Sequence, residues 1–150
     1  MTTGQSARSI PPRWIVSLLA AAVALHNLEE ALTFARYLPV TAANLPAGLR
    51  PWAGPDALPR LYGALLVVTL VPFAICVWSA AAPHNLVARR LVLAIWMVLL
   101  GNAAWHAGVA LFVFHGYAPG LITALAVNLP ASLMVLRRAA VERWWRREVA

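Results

Sequence analysis

Apolar residues fall into four long runs, separated by short polar or proline-rich breaks. The first, residues 14–37, slightly exceeds the ~20 residues that a helix needs to cross a hydrocarbon core. Residues 38–59 contain Pro39, Pro46, Pro51, Pro55 and Pro59, which predicts that no helix continues through them. This loop also carries Trp52 and Asp56 and is expected to lie across the membrane surface as a cap. The second run covers residues 60–80, with Pro72 predicting a kink near its middle. Pro83-His84-Asn85 forms a turn, and the third run follows Arg89-Arg90 over residues 91–114. The fourth covers residues 118–136, with Pro119 in its first turn, where proline is tolerated. The pattern predicts an all-α integral membrane four-helix bundle over residues 14–138. It leaves residues 1–13 as a disordered leader and 139–150 as a basic interfacial tail, in which Trp144 and Trp145 pair at the membrane surface.

Composition agrees with that class. The chain is 62% hydrophobic with a mean hydropathy of +0.73, and only 11% of it is charged. Soluble domains carry about 25% charged residues. The net charge of +7 comes from arginine alone, since there is no lysine. Those arginines flank the apolar runs and do not interleave with aromatics, so no nucleic-acid partner is expected. Nine of the twelve lie in the N-terminal segment, the loop between the second and third runs, and the tail, leaving only Arg36, Arg50 and Arg60 on the other side. Positive-inside counting then places both termini in the cytoplasm. Lysine-free usage points to a GC-rich bacterium, and so to the bacterial inner (plasma) membrane. Arg8 and Arg13 before residues 15–25 imitate a signal peptide. The helical pattern runs on through Phe34 without a turn, however, and cleavage would remove the start of the first span. The lone Cys76 excludes an internal disulfide and is expected to pack.

Against this apolar background, His26-x-x-Glu29-Glu30 stands within the first run. A charged side chain near the bilayer centre costs roughly 2.5–3.5 kcal/mol on insertion scales, so such residues mark functional sites by default. The alternative is that they only hold helices together, or sit neutral and hydrogen-bonded. At 1.5 Å per residue, His26 lies about 18 Å and Glu30 about 24 Å into the first span. Asn102 and His106 lie about 17 and 23 Å into the third, and Asn128 about 15 Å into the fourth. Glu29 and Glu30 flank His26 by about 60° and 40° around the helix, and Asn102 and His106, four apart, share a face. Faces turned inward would meet in the outer half of the membrane.

These residues resemble the signature of the HXXEE family of small bacterial membrane proteins. His26-x-x-Glu29-Glu30 matches its eponymous motif, Asn102-Ala103-Ala104-Trp105-His106 its N-x-x-x-H element, and Tyr117-Ala118-Pro119-Gly120 its Y-x-P-G element. The three occur in order from the first span into the fourth. The resemblance implies a site that includes Tyr117, and it implies no reaction.

Two histidines, two carboxylates, an amide and a phenol form a metal-ligand inventory of the kind that helical bundles project inward. Imidazole with carboxylate suits Zn²⁺, Fe²⁺ or Mn²⁺, and the cation would offset the burial of carboxylates. The favoured reading is a metal-dependent membrane hydrolase acting on a lipid or small apolar molecule. His26, Glu29, Glu30 and His106 are its candidate ligands, His26, Glu29, Glu30 and Tyr117 its candidate catalytic groups, and Asn102, Tyr117 and Asn128 its candidate substrate contacts. A second reading omits the metal. Adjacent buried carboxylates do not both ionise easily, and one acid with one base beside a histidine suits isomerisation or cyclisation of an isoprenoid or sterol-like lipid. A third is a non-enzymatic proton or ion carrier, or a haem held between His26 and His106. His84 and His115 are expected in solvated or interfacial turns, Trp105 in packing, and Thr69 and Thr123 bonded within their own helices.

Overall fold

The structure, a computed structural model, describes residues 10–44 and 47–145. The side chains of residues 49, 51 and 52 lie outside the described residues. So do most of the expected leader, Pro46, the capping role expected of Trp52, and Arg146 and Arg147 of the expected tail. Every regular element among the described residues is helical. Four helices are long and apolar enough to cross a membrane: α1, Arg13–Asn44; α2, Ala57–Ala81; α3, Leu86–Phe114; and α4, Leu121–Glu142.

The ends of these helices follow local chemistry that the apolar runs did not reveal. Helix α1 does not stop before Pro39 but continues to Asn44. Proline withholds a single backbone donor. Beyond it the Thr41 hydroxyl donates to the Tyr37 carbonyl and the Asn44 amide to the Val40 carbonyl, so the final turns remain satisfied. Of the rest of the proline-rich loop, Ala47–Ala53 folds as a 3-10 turn against α1, and Pro59, expected in the loop, lies in the first turn of α2, where proline is tolerated. Helix α2 passes through Pro72 without interruption. Helix α3 begins at Leu86, because the Asn85 side chain caps it by accepting from the backbone N–H groups of Val87 and Ala88. Pro119 lies outside α4, whose N-cap is Gly120 at φ +79°. The turn 115–120 is thus three residues longer than the apolar run suggested.

Helix α1 packs on α2, α2 on α3, and α3 on α4, while α1 also reaches α3 and the start of α4. The core divides along its length. One half is apolar, built on Ile15, Leu19, Ala22, Val92, Trp96 and Val135. Trp144 belongs to this core at 1% exposed, whereas Trp145 is 40% exposed, so the expected interfacial pair is split. The chain there is tied back by Arg90, whose guanidinium donates twice to the Trp145 carbonyl. The other half of the bundle holds the polar residues of α1 and α3, next to the turn 115–120. Outward faces are apolar, with Leu66, Val67, Leu70, Val98 and Phe112 all exposed.

Candidate metal centre

The turn 115–120 organises the polar half of the bundle. Helix α3 ends in a π-helical turn, Ala110–Phe114, and the chain then reverses through His115 in the left-handed region. Ala118, Pro119 and Gly120 are all buried, so the backbone of this turn runs inside the bundle. Gly120 is required there twice over. Its φ of +79° disfavours a side chain, and a β-carbon would lie 2.8 Å from His26 Cε1 and 2.9 Å from both Glu30 Cγ and His106 Cε1.

A glycine N-cap offers no side chain to the first N–H groups of its helix, and buried groups of that kind need an acceptor. Glu29 supplies it from α1. Its Oε1 accepts from Ile122 N at 3.1 Å and its Oε2 from Thr123 N at 2.7 Å. The Thr123 hydroxyl donates to Oε2 and the Tyr117 hydroxyl to Oε1, each at 2.6 Å. A carboxylate at a helix N-terminus is favoured by the helix dipole as well. Tyr117 is held in turn by Tyr37, whose ring also meets Phe114 edge-on at 5.7 Å. Burial and the neighbouring Glu29 push the Tyr117 phenol above its usual range.

Four donors on two oxygens define Glu29 as an ionised, acceptor-only group. Thr123 therefore spends its proton on Glu29 and accepts from His26 Nδ1, 3.0 Å away. The tautomer follows: Nδ1 carries the hydrogen, and Nε2 keeps its lone pair toward the Asn102 amide at 2.6 Å. A directed chain results, from Asn102 through His26 and Thr123 to Glu29.

Glu30 points elsewhere. Its Oε1 lies 3.3 Å from His106 Nε2, and the rings of His26 and His106 meet edge-on at 4.8 Å. One ligand atom from each of His26, Glu30 and His106 falls within 4.8 Å of the others. The 3.3 Å separation equals the edge of a tetrahedron with bonds of about 2 Å, as zinc makes to nitrogen and oxygen. Two imidazoles and a carboxylate form a donor set that suits a divalent cation with an open position.

Of the residues singled out in the sequence, His26, Glu30 and His106 converge as one group, with Asn102 beside them. Glu29 and Tyr117 adjoin this group but are engaged with each other and with α4. Asn128 is fully buried, and neither of its amide atoms meets a partner among the described residues. His84 and His115 are exposed, and Trp105, expected to pack, is 68% exposed. The edge-on contact of His26 and His106 leaves no space for a porphyrin between them. Thr123 and Thr69, expected to bond only within their own helices, instead join helices. Thr69 accepts from the Asn27 amide at 2.6 Å while donating to the Leu65 carbonyl. The signal for Thr123 was available: a Pro-Gly turn entering an apolar helix with no capping side chain calls for an acceptor from elsewhere.

The model of a family described as "Protein of unknown function with HXXEE motif" matches residues 17–135. A protein of Bacillus subtilis (strain 168), described as "Uncharacterized protein YrkK", is 24% identical over 123 residues, covering 82% of this chain and 73% of the relative. No solved structure matches the chain.

Proposed function

The chain belongs to the HXXEE family, and on that premise we propose that it is a multi-pass bacterial inner-membrane enzyme that holds a divalent metal at His26, Glu30 and His106. Both termini lie in the cytoplasm by arginine distribution, which sets the site in the outer half of the bilayer. Four apolar helices with apolar outward faces support the membrane assignment. The observation that carries the metal reading is the convergence of the three ligand atoms within 4.8 Å, contributed by two helices.

Zinc, iron or manganese bound there would supply Lewis acidity and an activated water, which suits hydrolysis of a lipid or small apolar molecule. The protein's own groups do the positioning. Glu29 and Thr123 fix the His26 tautomer that leaves Nε2 free to bind, and outer partners of this kind orient ligating histidines. Asn102 donates to that same lone pair, which puts its amide at the site, where it would orient a bound molecule. Glu30 contributes the negative charge. Tyr117 and the buried turn close the site from one side and keep bulk water out.

A metal-free reading has its own support in the 3.3 Å contact of Glu30 with His106. A carboxyl and an imidazole so placed could shuttle a proton on an isoprenoid or sterol-like substrate. One experiment separates the two. Protein purified in lipid nanodiscs is expected to carry Zn, Fe or Mn near one equivalent per chain, and to lose it in Glu30→Gln and His106→Ala. Protein without metal that still turns over a bacterial lipid extract, insensitive to chelator, would overturn the metal reading in favour of acid–base chemistry.

A further inference from the structure

Three buried polar side chains lie beyond the cluster and take no part in it. Asn128 and Ser132 on α4 and Trp96 on α3 are each 0% exposed. Both amide atoms of Asn128, the Ser132 hydroxyl and the Trp96 indole nitrogen have no hydrogen-bond partner among the described residues. A helical serine ordinarily bonds back to a carbonyl one turn earlier, and Ser132 does not. Buried polar groups are satisfied almost without exception, by protein or by enclosed water. Zero exposure excludes a lipid headgroup or a second chain as the partner. The partner must be a small molecule inside the bundle that both donates and accepts, since Asn128 and Ser132 do both and Trp96 only donates. Water fits this set.

The backbone explains how these groups come into line with the site. In a regular α-helix, Thr123 and Asn128 would point about 140° apart. Between them α4 makes a π-helical turn, Ala124–Asn128, in which Leu129 N–H donates to the Ala124 carbonyl five residues back. That widened turn sets residues five apart nearly one above the other, and Ser132 follows Asn128 by four on the same face. Thr123, Asn128 and Ser132 then form one polar stripe, which starts at the relay through His26 and runs toward the arginine-rich end of the bundle. The opposite side of the cluster is closed by the buried turn 118–120.

We propose that Asn128, Ser132 and Trp96 hold an internal file of water molecules, through which protons reach the His26–Thr123 relay. The proton role rests on the cluster being chemically active, whereas the water site does not.

Nuclear magnetic resonance of nanodisc protein labelled with ¹⁵N-tryptophan tests it, the Trp96 indole signal being assigned through Trp96→Phe. The wild-type indole N–H is expected to show cross-relaxation to water despite its burial, at least twofold weaker in Ser132→Ala and lost in Asn128→Leu. No water signal in the wild type overturns the site, and a signal unchanged in both variants overturns its assignment to these residues. Deuterium exchange of the His26 ring N–H, expected to slow at least tenfold in Asn128→Leu, tests the route, and an unchanged rate overturns it. The cross-relaxation at Trp96 does not depend on metal content, and the His26 exchange is compared between chelator-treated proteins, so failure of the proposed metal centre would register separately.

Discussion

Gly120 approaches His26 so closely that a β-carbon on the glycine would lie 2.8 Å from the ring's Cε1. The same atom would meet Glu30 and His106, so one backbone position touches all three members of the metal-capable group. Gly120→Ala must also hold a left-handed conformation that costs an ordinary residue about 1–2 kcal/mol. The expected result is a melting temperature lower by about 2–8 °C, together with weakened metal binding as the three side chains are pushed apart. Melting in nanodiscs and a metal titration measure the two effects, and an unchanged variant would mean that the turn does not rest on the cluster.

The two adjacent glutamates are expected to fail in different ways. Glu29 receives four donors, two of them backbone N–H groups at the start of α4. Gln at this position sets an amide N–H₂ against donors, and the loss is expected to reach about 2–3 kcal/mol of stability. Glu30→Gln removes a cation ligand and should melt below metal-loaded wild type by no more than the loss of the cation itself explains, with metal affinity reduced more than about 100-fold, beyond the usual effect of losing a supporting residue. Chelator-treated wild type should resemble Glu30→Gln in melting. If Glu30→Gln unfolds the bundle while Glu29→Gln does not, the division of roles is reversed.

That division was not legible in the sequence, although the meeting of His26, Glu30, Asn102 and His106 was. Spacing and depth alone brought His26, Glu30, Asn102 and His106 to one level, because the 3.6-residue period and the 1.5 Å rise are properties of any helix. The separate fates of Glu29 and Glu30 depend on how α1 is rotated and on where α4 begins. The second depends on Gly120, whose need for positive φ arises only from the chain that surrounds it. Thr123 was passed over because a hydroxyl in an apolar helix can bond to its own backbone. Here the carboxylate 2.6 Å away is the stronger acceptor. Pro39 was overvalued as a stop, since it removes one donor from a helix that can close its own end. The two π-helical turns leave no mark in the pattern of apolar positions, yet they set the orientation of His115 and Asn128.

A polar pair away from the cluster joins α1 to α2. Asn27 donates to Thr69 at 2.6 Å, and α2 otherwise presents a mostly apolar, lightly buried surface. Hydrogen bonds between helices in membranes average about 0.6 kcal/mol in double-mutant cycles, with a maximum near 1.7. The short distance and the second bond from Thr69 to Leu65 place this pair toward the upper part of that range. A cycle of Asn27→Leu, Thr69→Val and the double variant is expected to give a coupling of about 1 kcal/mol, with metal binding unaffected. A coupling near zero would mean that the Asn27–Thr69 bond adds nothing to the α1–α2 contact.

Tyr117 sets an upper pH limit on the closure of the site. Its hydroxyl donates to Glu29, and ionisation would place a phenolate against that carboxylate. Burial and Glu29 therefore hold its folded-state pKa above the usual value near 10. Between the unfolded and folded pKa values the native chain binds more protons than the unfolded one, so the slope of stability with pH is negative there. The contribution of Tyr117 is thus complete below about pH 10 and is lost as the pH rises through the folded value. The difference between the ultraviolet titrations of wild type and Tyr117→Phe should assign to Tyr117 a midpoint above the usual tyrosine value, with melting of the wild type falling over the same range. In Tyr117→Phe the alkaline fall should be shallower and the melting temperature at neutral pH lower, because Glu29 has lost one of its four donors. Equal alkaline profiles for the two proteins would show that the Tyr117–Glu29 contact does not hold the turn in place.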